Sequence, residues 1–293
     1  MKTTEFVCRY FAKDTWQISG SACDCYLLIG EKEAVMIDAG SCDENIREFA
    51  QTLTEKPVNK VINTHSHFDH TGGNGYFQQI FATEGISRSA QNYMGECRDL
   101  SLLDYGFTYV TDGEILPIEG RPLEIIVLNC HSRDNLAVLD RKSRLLFVGD
   151  ELDAGQVLLL PGYAEQRGQL HAVPAASVET YLGALNRLAQ YRDAFDFICT
   201  GHNGSPLDPC YLDWFRELCR RILSGEETGS ADCSGKPIPP LRCIFHSPTP
   251  DTGEPAGTVF HWFTAPPACL TATRRGLNQP RLCTLCPPTQ SPD

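Results

Sequence analysis

The stretch NTHSHFDHTGG, residues 63–73, holds three of the chain's eight histidines and an aspartate within six positions. It directly follows the short apolar run VNKVI, which predicts a strand. Alternate residues of an extended segment point the same way, so we expect His65 and His67 to face one ion. Asp69 and His70 fall where the chain turns, and we expect them to aim at a neighbouring site. Imidazole and carboxylate suit zinc and iron, so the stretch indicates a metal site.

Three later predicted strands end in a residue of the same kind. His131 follows LEIIVLN, Asp150 follows RLLFVG, and His202 follows FDFICT. A lone histidine is more often a core or surface residue than a ligand, but each of these three sits at a strand end followed by a loop. We therefore expect all three to join the first cluster. Gly72 and Gly73 then let the backbone bend sharply without Cβ strain.

Strands and helices alternate along most of the chain, as in layered α/β folds. The predicted strands cover residues 5–11, 24–30, 33–39, 58–63, 123–129, 136–140, 144–148 and 195–200. The predicted helices cover residues 42–55, 177–190 and 211–223, and Asp43 can cap the first of them. Residues 75–115 are mixed, and residues 151–176 resemble a loop-rich insertion.

The last quarter of the chain differs in composition. Residues 1–225 are predicted to form one catalytic domain, and residues 226–293 a tail rich in Pro, Gly and Cys. From Trp262 onward the pattern predicts no helix or strand. Two explanations stay open: a disordered tail, or a reading-frame shift near residue 261 whose alternative frame would encode a final strand. The three other histidines, His171, His246 and His261, are expected at the surface.

The overall composition indicates which class of partner and which cellular compartment to expect. The net charge of −12 disfavours binding to nucleic acid and to membrane surfaces, so we expect a small-molecule substrate. The N-terminus shows no apolar signal segment and no run approaches 18 apolar residues, so we expect a cytoplasmic protein. In that compartment the 14 cysteines are expected as free thiols.

Taken in order, HSHFDH, the preceding IDAG, a histidine at 131, FVGD and TGHNGSP resemble the metallo-β-lactamase fold superfamily. The resemblance covers roughly residues 6–223. It implies an α/β fold, an αββα sandwich of two mixed sheets flanked by helices, with metals at one edge. It also implies that Asp38 supports the histidine loop from behind, although a simple strand-end cap is an equal alternative.

The resemblance further implies a centre with two ions, expected as two Zn2+ with Fe or Mn as alternatives. His65, His67 and His131 would bind the first ion, and Asp69, His70 and His202 the second. Asp150 would bridge the two.

The function implied is a dinuclear zinc-dependent hydrolase of a small-molecule ester, thioester, lactone or lactam bond. A metal-bound hydroxide would attack the substrate, and Asp69 would orient it and shuttle its proton. Two alternatives remain: a mononuclear iron persulfide dioxygenase, and a non-catalytic member that binds metal. A homodimer is left open as the assembly.

The segment LNCHSRDN, residues 128–135, departs from the family pattern, because the turn residues around His131 differ. Arg133 could face a substrate anion or pair with Asp134 at the surface, and the surface pair is preferred. Cys130 is expected as a buried thiol rather than a ligand. Tyr163 is a candidate for contacting a substrate oxygen.

Overall fold

A computed structural model describes residues 6–20, 22–41, 45–85, 104–154, 156–159, 162–166, 169–173, 176–226, 242–247 and 259–264. The described chain is organised around two large β-sheets with helices on their outer faces. Within the described residues, no helix is both long and apolar enough to span a bilayer.

The first sheet has seven strands in chain order. They are β1 (Val7–Ala12), β2 (Thr15–Ser19), β3 (Cys25–Ile29), β4 (Ala34–Ile37), β5 (Val58–Ile62), β6 (Gln79–Ala82) and β7 (Phe107–Tyr109). Strands β1 to β4 pair antiparallel, whereas β4 to β7 pair parallel, so the sheet is mixed.

The second sheet has five strands in the order β15-β11-β10-β9-β8. They are β8 (Ile115–Leu116), β9 (Leu123–Val127), β10 (Leu136–Asp140), β11 (Leu145–Gly149) and β15 (Phe197–Thr200). Only the pair β11 and β15 is parallel, so this sheet is mixed as well.

Three apolar layers hold the sheets and helices together. Between the sheets, Leu28 and Val35 of the first pack with Val138 and Phe147 of the second. Residues of opposite parity on the same strands face outward, because side chains alternate along a strand. Those of the second sheet pack on the helices α3 (Val178–Ala189) and α4 (Cys210–Ser224), and those of the first on α1 (Ile46–Gln51). The predicted αββα sandwich is therefore confirmed.

The helix predicted over residues 42–55 is shorter in the structure. Helix α1 begins after Asn45, whose side chain accepts a hydrogen bond from the amide of Glu48. Asp43, the predicted cap, lies outside the described residues. The side-chain oxygen of Asn45 satisfies a free N–H of the first turn, which is the role expected of a helix cap.

The predicted loop-rich insertion contains strands. Residues 151–176 include β12 (Gln156–Leu159), β13 (Gly162–Gln166) and β14 (Gln169–Val173). Strands β13 and β14 pair as a hairpin, while β12 pairs with a strand from the tail. Pairing with a partner far along the chain leaves little local signal, which is why the sequence pattern missed β12.

The tail also contributes two strands, β16 (Arg242–Ser247) and β17 (Val259–Thr264). They pair antiparallel over their full length, so the expectation of no element from residue 262 onward is wrong for residues 262–264. Residues 227–241, 248–258 and 265–293 lie outside the described residues, and the frame shift stays a prediction. His171, His246 and His261 lie on β14, β16 and β17, and their position at the surface stays a prediction.

Candidate metal centre

The candidate centre lies where four strands of the two sheets end. Strand β5 leads into His65 and His67 and then into the short helix α2 (Phe68–Thr71), which carries Asp69 and His70. Strands β9, β11 and β15 lead into the segments that carry the other three predicted residues. The structure brings all seven predicted side chains to this one edge.

One group contains His65, His67, His131 and Asp150, and one candidate ligand atom from each lies within 4.8 Å of the others. His65 Nε2 lies 2.9 Å from His67 Nδ1, and His131 Nε2 lies 3.1 Å from the same Nδ1. Ring nitrogens that converge so closely surround a common point, as ligands of one ion do.

A second group contains Asp69, His70 and His202, also within 4.8 Å. His202 Nε2 lies 3.3 Å from Asp69 Oδ2. Asp150 of the first group reaches this one as well, because its Oδ2 lies 3.2 Å from His202 Nε2 and its Oδ1 lies 3.1 Å from His70 Nε2. Asp150 therefore lies between the two groups, where a bridging ligand would sit.

Two buried atoms at the junction of the groups, His70 Nε2 and Asp150 Oδ1, have no hydrogen-bond partner among the described residues. They lie 3.1 Å apart as an ion pair. Buried polar atoms are rarely left unsatisfied without a reason such as an ion. The donor set of imidazoles and carboxylates fits a divalent cation, so the residues present fit a metal.

The protonation of the first group suits metal binding. Burial sets the pKa of His65 well below its ordinary value and also lowers the pKa of His67. Burial would raise the pKa of Asp150, but the neighbouring His70 and His202 hold it well below its ordinary value. Neutral imidazoles beside an ionised carboxylate are the forms that coordinate metal.

The two histidines of the second group bind protons more readily than an ordinary histidine. Hydrogen bonds to Asp150 and Asp69 raise the pKa of His202 to about 10. Burial opposes the charge on His70, but the negative charges of Cys23, Asp150 and Asp38 hold its pKa well above its ordinary value. A cation bound here would therefore displace protons from these two rings.

Asp38 supports the histidine loop from behind. Its Oδ2 accepts hydrogen bonds from His70 Nδ1 and Thr64 Oγ1, each at 2.8 Å, and its Oδ1 accepts from the Thr64 amide at 2.7 Å. The bond to Nδ1 turns Nε2 of His70 toward the centre, as carboxylates behind metal-binding histidines do. Asp38 thus fulfils the supporting role rather than acting only as a strand-end cap.

Two further carboxylates, which the sequence interpretation missed, lie beside Asp150. Glu151 Oε2 accepts from the His131 amide at 3.0 Å, and Asp153 Oδ1 accepts from the Asn203 amide at 2.7 Å. Burial raises the pKa of each to about 7. Three acids within four positions after a strand, in GDELD, are the only signal that could have pointed to them.

Two glycines around the centre let the backbone pass close to neighbouring atoms. A Cβ on Gly201 would lie 2.3 Å from Asp150 Oδ1 and 2.8 Å from His70 Cε1. A Cβ on Gly73 would lie 2.3 Å from the Ala39 carbonyl oxygen. Gly72 and Gly73 have negative φ, so the predicted bend uses backbone angles open to any residue, and at Gly73 it is the contact with Ala39 that excludes a side chain.

The candidate substrate residues are placed less fully. Arg133 is exposed. Asp134, expected beside it at the surface, is instead buried, and its carboxylate accepts a hydrogen bond from Ser132. Tyr163 lies on β13, and its side chain is outside the part of the chain that the structure describes. Cys130 is a buried free thiol, as expected.

The family model of the metallo-beta-lactamase superfamily matches residues 18–202. The chain belongs to the metallo-beta-lactamase superfamily. The match includes all seven of the clustered side chains. It agrees with the two mixed sheets and their flanking helices.

Named relatives within this superfamily are similar to the chain at low identity. Hydroxyacylglutathione hydrolase GloC of Haemophilus influenzae is 26% identical over 140 residues, which is 43% of this chain and 65% of the relative. The human acyl-coenzyme A thioesterase MBLAC2 is 21% identical over 217 residues, or 63% of this chain and 73% of the relative. The chain thus spans less than two thirds of the length of GloC.

Among solved structures, a metallo-beta-lactamase from Pontibacter korlensis is similar with a TM-score of 0.56 at 20% identity. The alignment covers 74% of this chain and 99% of that one. At this identity the likeness supports the fold alone.

Proposed function

We propose that the chain is a dinuclear zinc-dependent hydrolase of a small-molecule acyl compound, with a thioester preferred over an ester, lactone or lactam. The observation that carries the proposal is the junction of the two groups, where His70 Nε2 and Asp150 Oδ1 are buried and have no hydrogen-bond partner in the part of the chain that the structure describes. A cation on each side of Asp150 would satisfy both atoms and balance the clustered carboxylates.

The chain's own residues would divide the work. His65, His67 and His131 would hold one Zn2+, Asp69, His70 and His202 the other, and Asp150 both. When bound, two such ions lower the pKa of a water and polarise a carbonyl oxygen. Fe or Mn would fit the same donors.

Asp69 is the proposed catalytic residue. Its side chain is 17% exposed, so it can meet both the buried donors and an incoming substrate. Its carboxylate lies 3.3 Å from His202 Nε2, and His70 and His202 lower its pKa against the effect of burial. An ionised carboxylate at this position can orient a water and accept its proton.

The thioester preference rests on the relatives. GloC is named for a glutathione thioester and MBLAC2 for a coenzyme A thioester. Hydrolysis of such a bond needs only water, and it yields a carboxylic acid and a thiol. The net charge of −12 fits a small-molecule substrate better than nucleic acid or a membrane surface. The cytoplasmic location, the homodimer and the substrate contacts of Tyr163 and Arg133 stay predictions.

The test combines hydrolysis assays and metal analysis on the full chain. We expect two zinc ions per chain, and turnover of acylglutathione or acyl-coenzyme A substrates above that of simple esters and lactones. Asp69→Ala should lower kcat by about 100-fold or more. Asp14→Ala, an exposed carboxylate on the turn after β1, is the matched control and should leave kcat unchanged.

Three results would contradict the proposal. If Asp69→Ala changed neither metal content nor rate, the assignment of this site would be wrong. One iron per chain with oxygen uptake on a persulfide would replace it with a dioxygenase. Two zinc ions with no turnover across the panel would indicate a non-catalytic binding protein.

A further inference from the structure

We propose that Glu151 and Asp153 are positioning residues, each of which holds one of the two loops that deliver metal ligands. Glu151 would hold the loop of His131 and Asp153 the loop of His202. The inference rests on the proposed metal centre but not on any particular substrate.

Glu151 is fully buried, and its Oε2 accepts a hydrogen bond from the His131 amide at 3.0 Å. Helix α3 fixes the backbone of Glu151, because the Tyr181 hydroxyl donates to its carbonyl oxygen at 2.8 Å. A rigidly held carboxylate thus anchors the backbone from which the His131 ring projects.

Asp153 acts on the opposite loop. Its Oδ1 accepts from the Asn203 amide at 2.7 Å, and its Oδ2 accepts from the Asn203 side chain at 3.3 Å. The Ala154 amide also donates to the Asn203 carbonyl at 3.2 Å. The residue after His202 is therefore held at both its N–H and its C=O by the segment that starts at Asp150.

These contacts divide the centre. His131 belongs to the group with His65 and His67, whereas His202 belongs to the group with Asp69 and His70. Loss of the Glu151 or the Asp153 contact should therefore weaken the binding of one ion and leave the binding of the other unchanged. Substitution of a residue that only stabilised the fold would weaken the binding of both ions alike or of neither. A loss of affinity at one group alone therefore distinguishes a positioning role from a role in stability.

The test uses variants that fill the same volume with or without an acceptor. Glu151→Met and Asp153→Leu remove the acceptor oxygen, while Glu151→Gln and Asp153→Asn keep one for the loop amide. Asp140→Asn is the matched control, because Asp140 is a buried carboxylate that accepts from the Lys142 and Ser143 amides at the far end of β10.

Each purified chain is loaded with cobalt and titrated against a chelator. Cobalt-shifted imidazole proton signals distinguish the site with three rings from the site with two. We expect Glu151→Met to raise the Kd of the three-ring site by about 10- to 100-fold, and Asp153→Leu to do the same to the two-ring site. Glu151→Gln and Asp153→Asn should recover most of the affinity, and Asp140→Asn should lower only the Tm.

The outcomes separate this inference from the proposed function. A wild-type chain that binds no metal would remove the metal centre and the inference with it. Two ions in wild type, with both affinities unchanged or equally lowered in Glu151→Met and Asp153→Leu, would overturn the inference alone. It would also be overturned if the acceptor-keeping variants behaved like the apolar ones.

Discussion

At the scale of single residues, the candidate centre depends on a glycine without a side chain as much as on the side chains that can bind metal. Gly201 lies against Asp150 and His70, the two residues at the junction of the groups. The backbone passes so close there that only a hydrogen atom fits on its α-carbon. Spacing in the sequence cannot show such a contact, because the three residues come from different segments of the chain.

Gly201→Ala should therefore disrupt the centre. Its Cβ would lie 2.3 Å from Asp150 Oδ1, so the carboxylate must move away from the metal position. We expect zinc content, measured by mass spectrometry after dialysis, to fall to one ion or fewer per chain. Gly183→Ala is the control, since its Cβ meets nothing within 4 Å, and it should retain wild-type zinc. Wild-type zinc content in Gly201→Ala would contradict the geometry.

Asp38→Asn should weaken metal binding without altering the backbone. Asp38 has a φ of 60°, which asparagine also tolerates. An amide nitrogen in place of one carboxylate oxygen would, however, face an N–H or O–H donor from which that oxygen now accepts a hydrogen bond. We expect zinc affinity, measured by chelator competition, to fall by about 10- to 100-fold. Asp14→Asn has a similar φ of 55° and serves as the control, and equal affinity in the two variants would refute the role of Asp38.

At the scale of elements, the clustered side chains could be predicted because their strands are short, apolar and end abruptly. Strand β5 runs into the histidine stretch, and β9, β11 and β15 each end near one further residue. The tethers Glu151 and Asp153 could not be predicted in this way. Their partners, His131 and Asn203, are 20 and 50 residues distant, and only the packing of the sheet brings them together.

The segment with Glu151 and Asp153 should also give the metal-free chain a particular pH dependence. Burial raises the pKa of Glu151 from its ordinary 4.5 to about 7. The folded chain therefore binds the Glu151 proton more tightly than the unfolded chain does. This contribution to the free energy of unfolding is fully present below about pH 4.5 and is lost as the pH rises through 7. We expect the free energy of unfolding of wild type, measured by urea denaturation with a chelator present, to fall relative to that of Glu151→Gln. The fall should reach about 1.4 kcal/mol per pH unit over this range. Parallel curves for the two proteins would contradict the burial of an acid there.

At the scale of the whole molecule, a buried ion pair ties the two sheets together away from the centre. Arg121, in the loop before β9, donates to Asp140 Oδ2 at 2.8 Å and also reaches the Asp14 carbonyl and Thr15 Oγ1 of the first sheet. Layering of apolar strands predicted the sandwich, but it could not predict this contact, whose members are up to 107 residues apart. The strands β12 and β16 were missed for the same reason.

Arg121→Met should therefore lower stability without altering chemistry. Asp140 would be left buried without its counter-ion, so we expect the free energy of unfolding to fall by roughly 3–5 kcal/mol. Urea denaturation measures the loss, while kcat per folded chain should stay at the wild-type value. Adding Asp140→Leu should restore part of the stability. A fall in kcat with no loss of stability would place Arg121 in the reaction instead.

The most direct test of the central claim is anomalous X-ray diffraction at the zinc edge from crystals of the zinc-loaded chain. The account predicts two peaks about 3.5–4 Å apart. One would lie among His65, His67 and His131, the other among Asp69, His70 and His202, with Asp150 between them. A single peak, or peaks away from these side chains, would contradict a dinuclear centre.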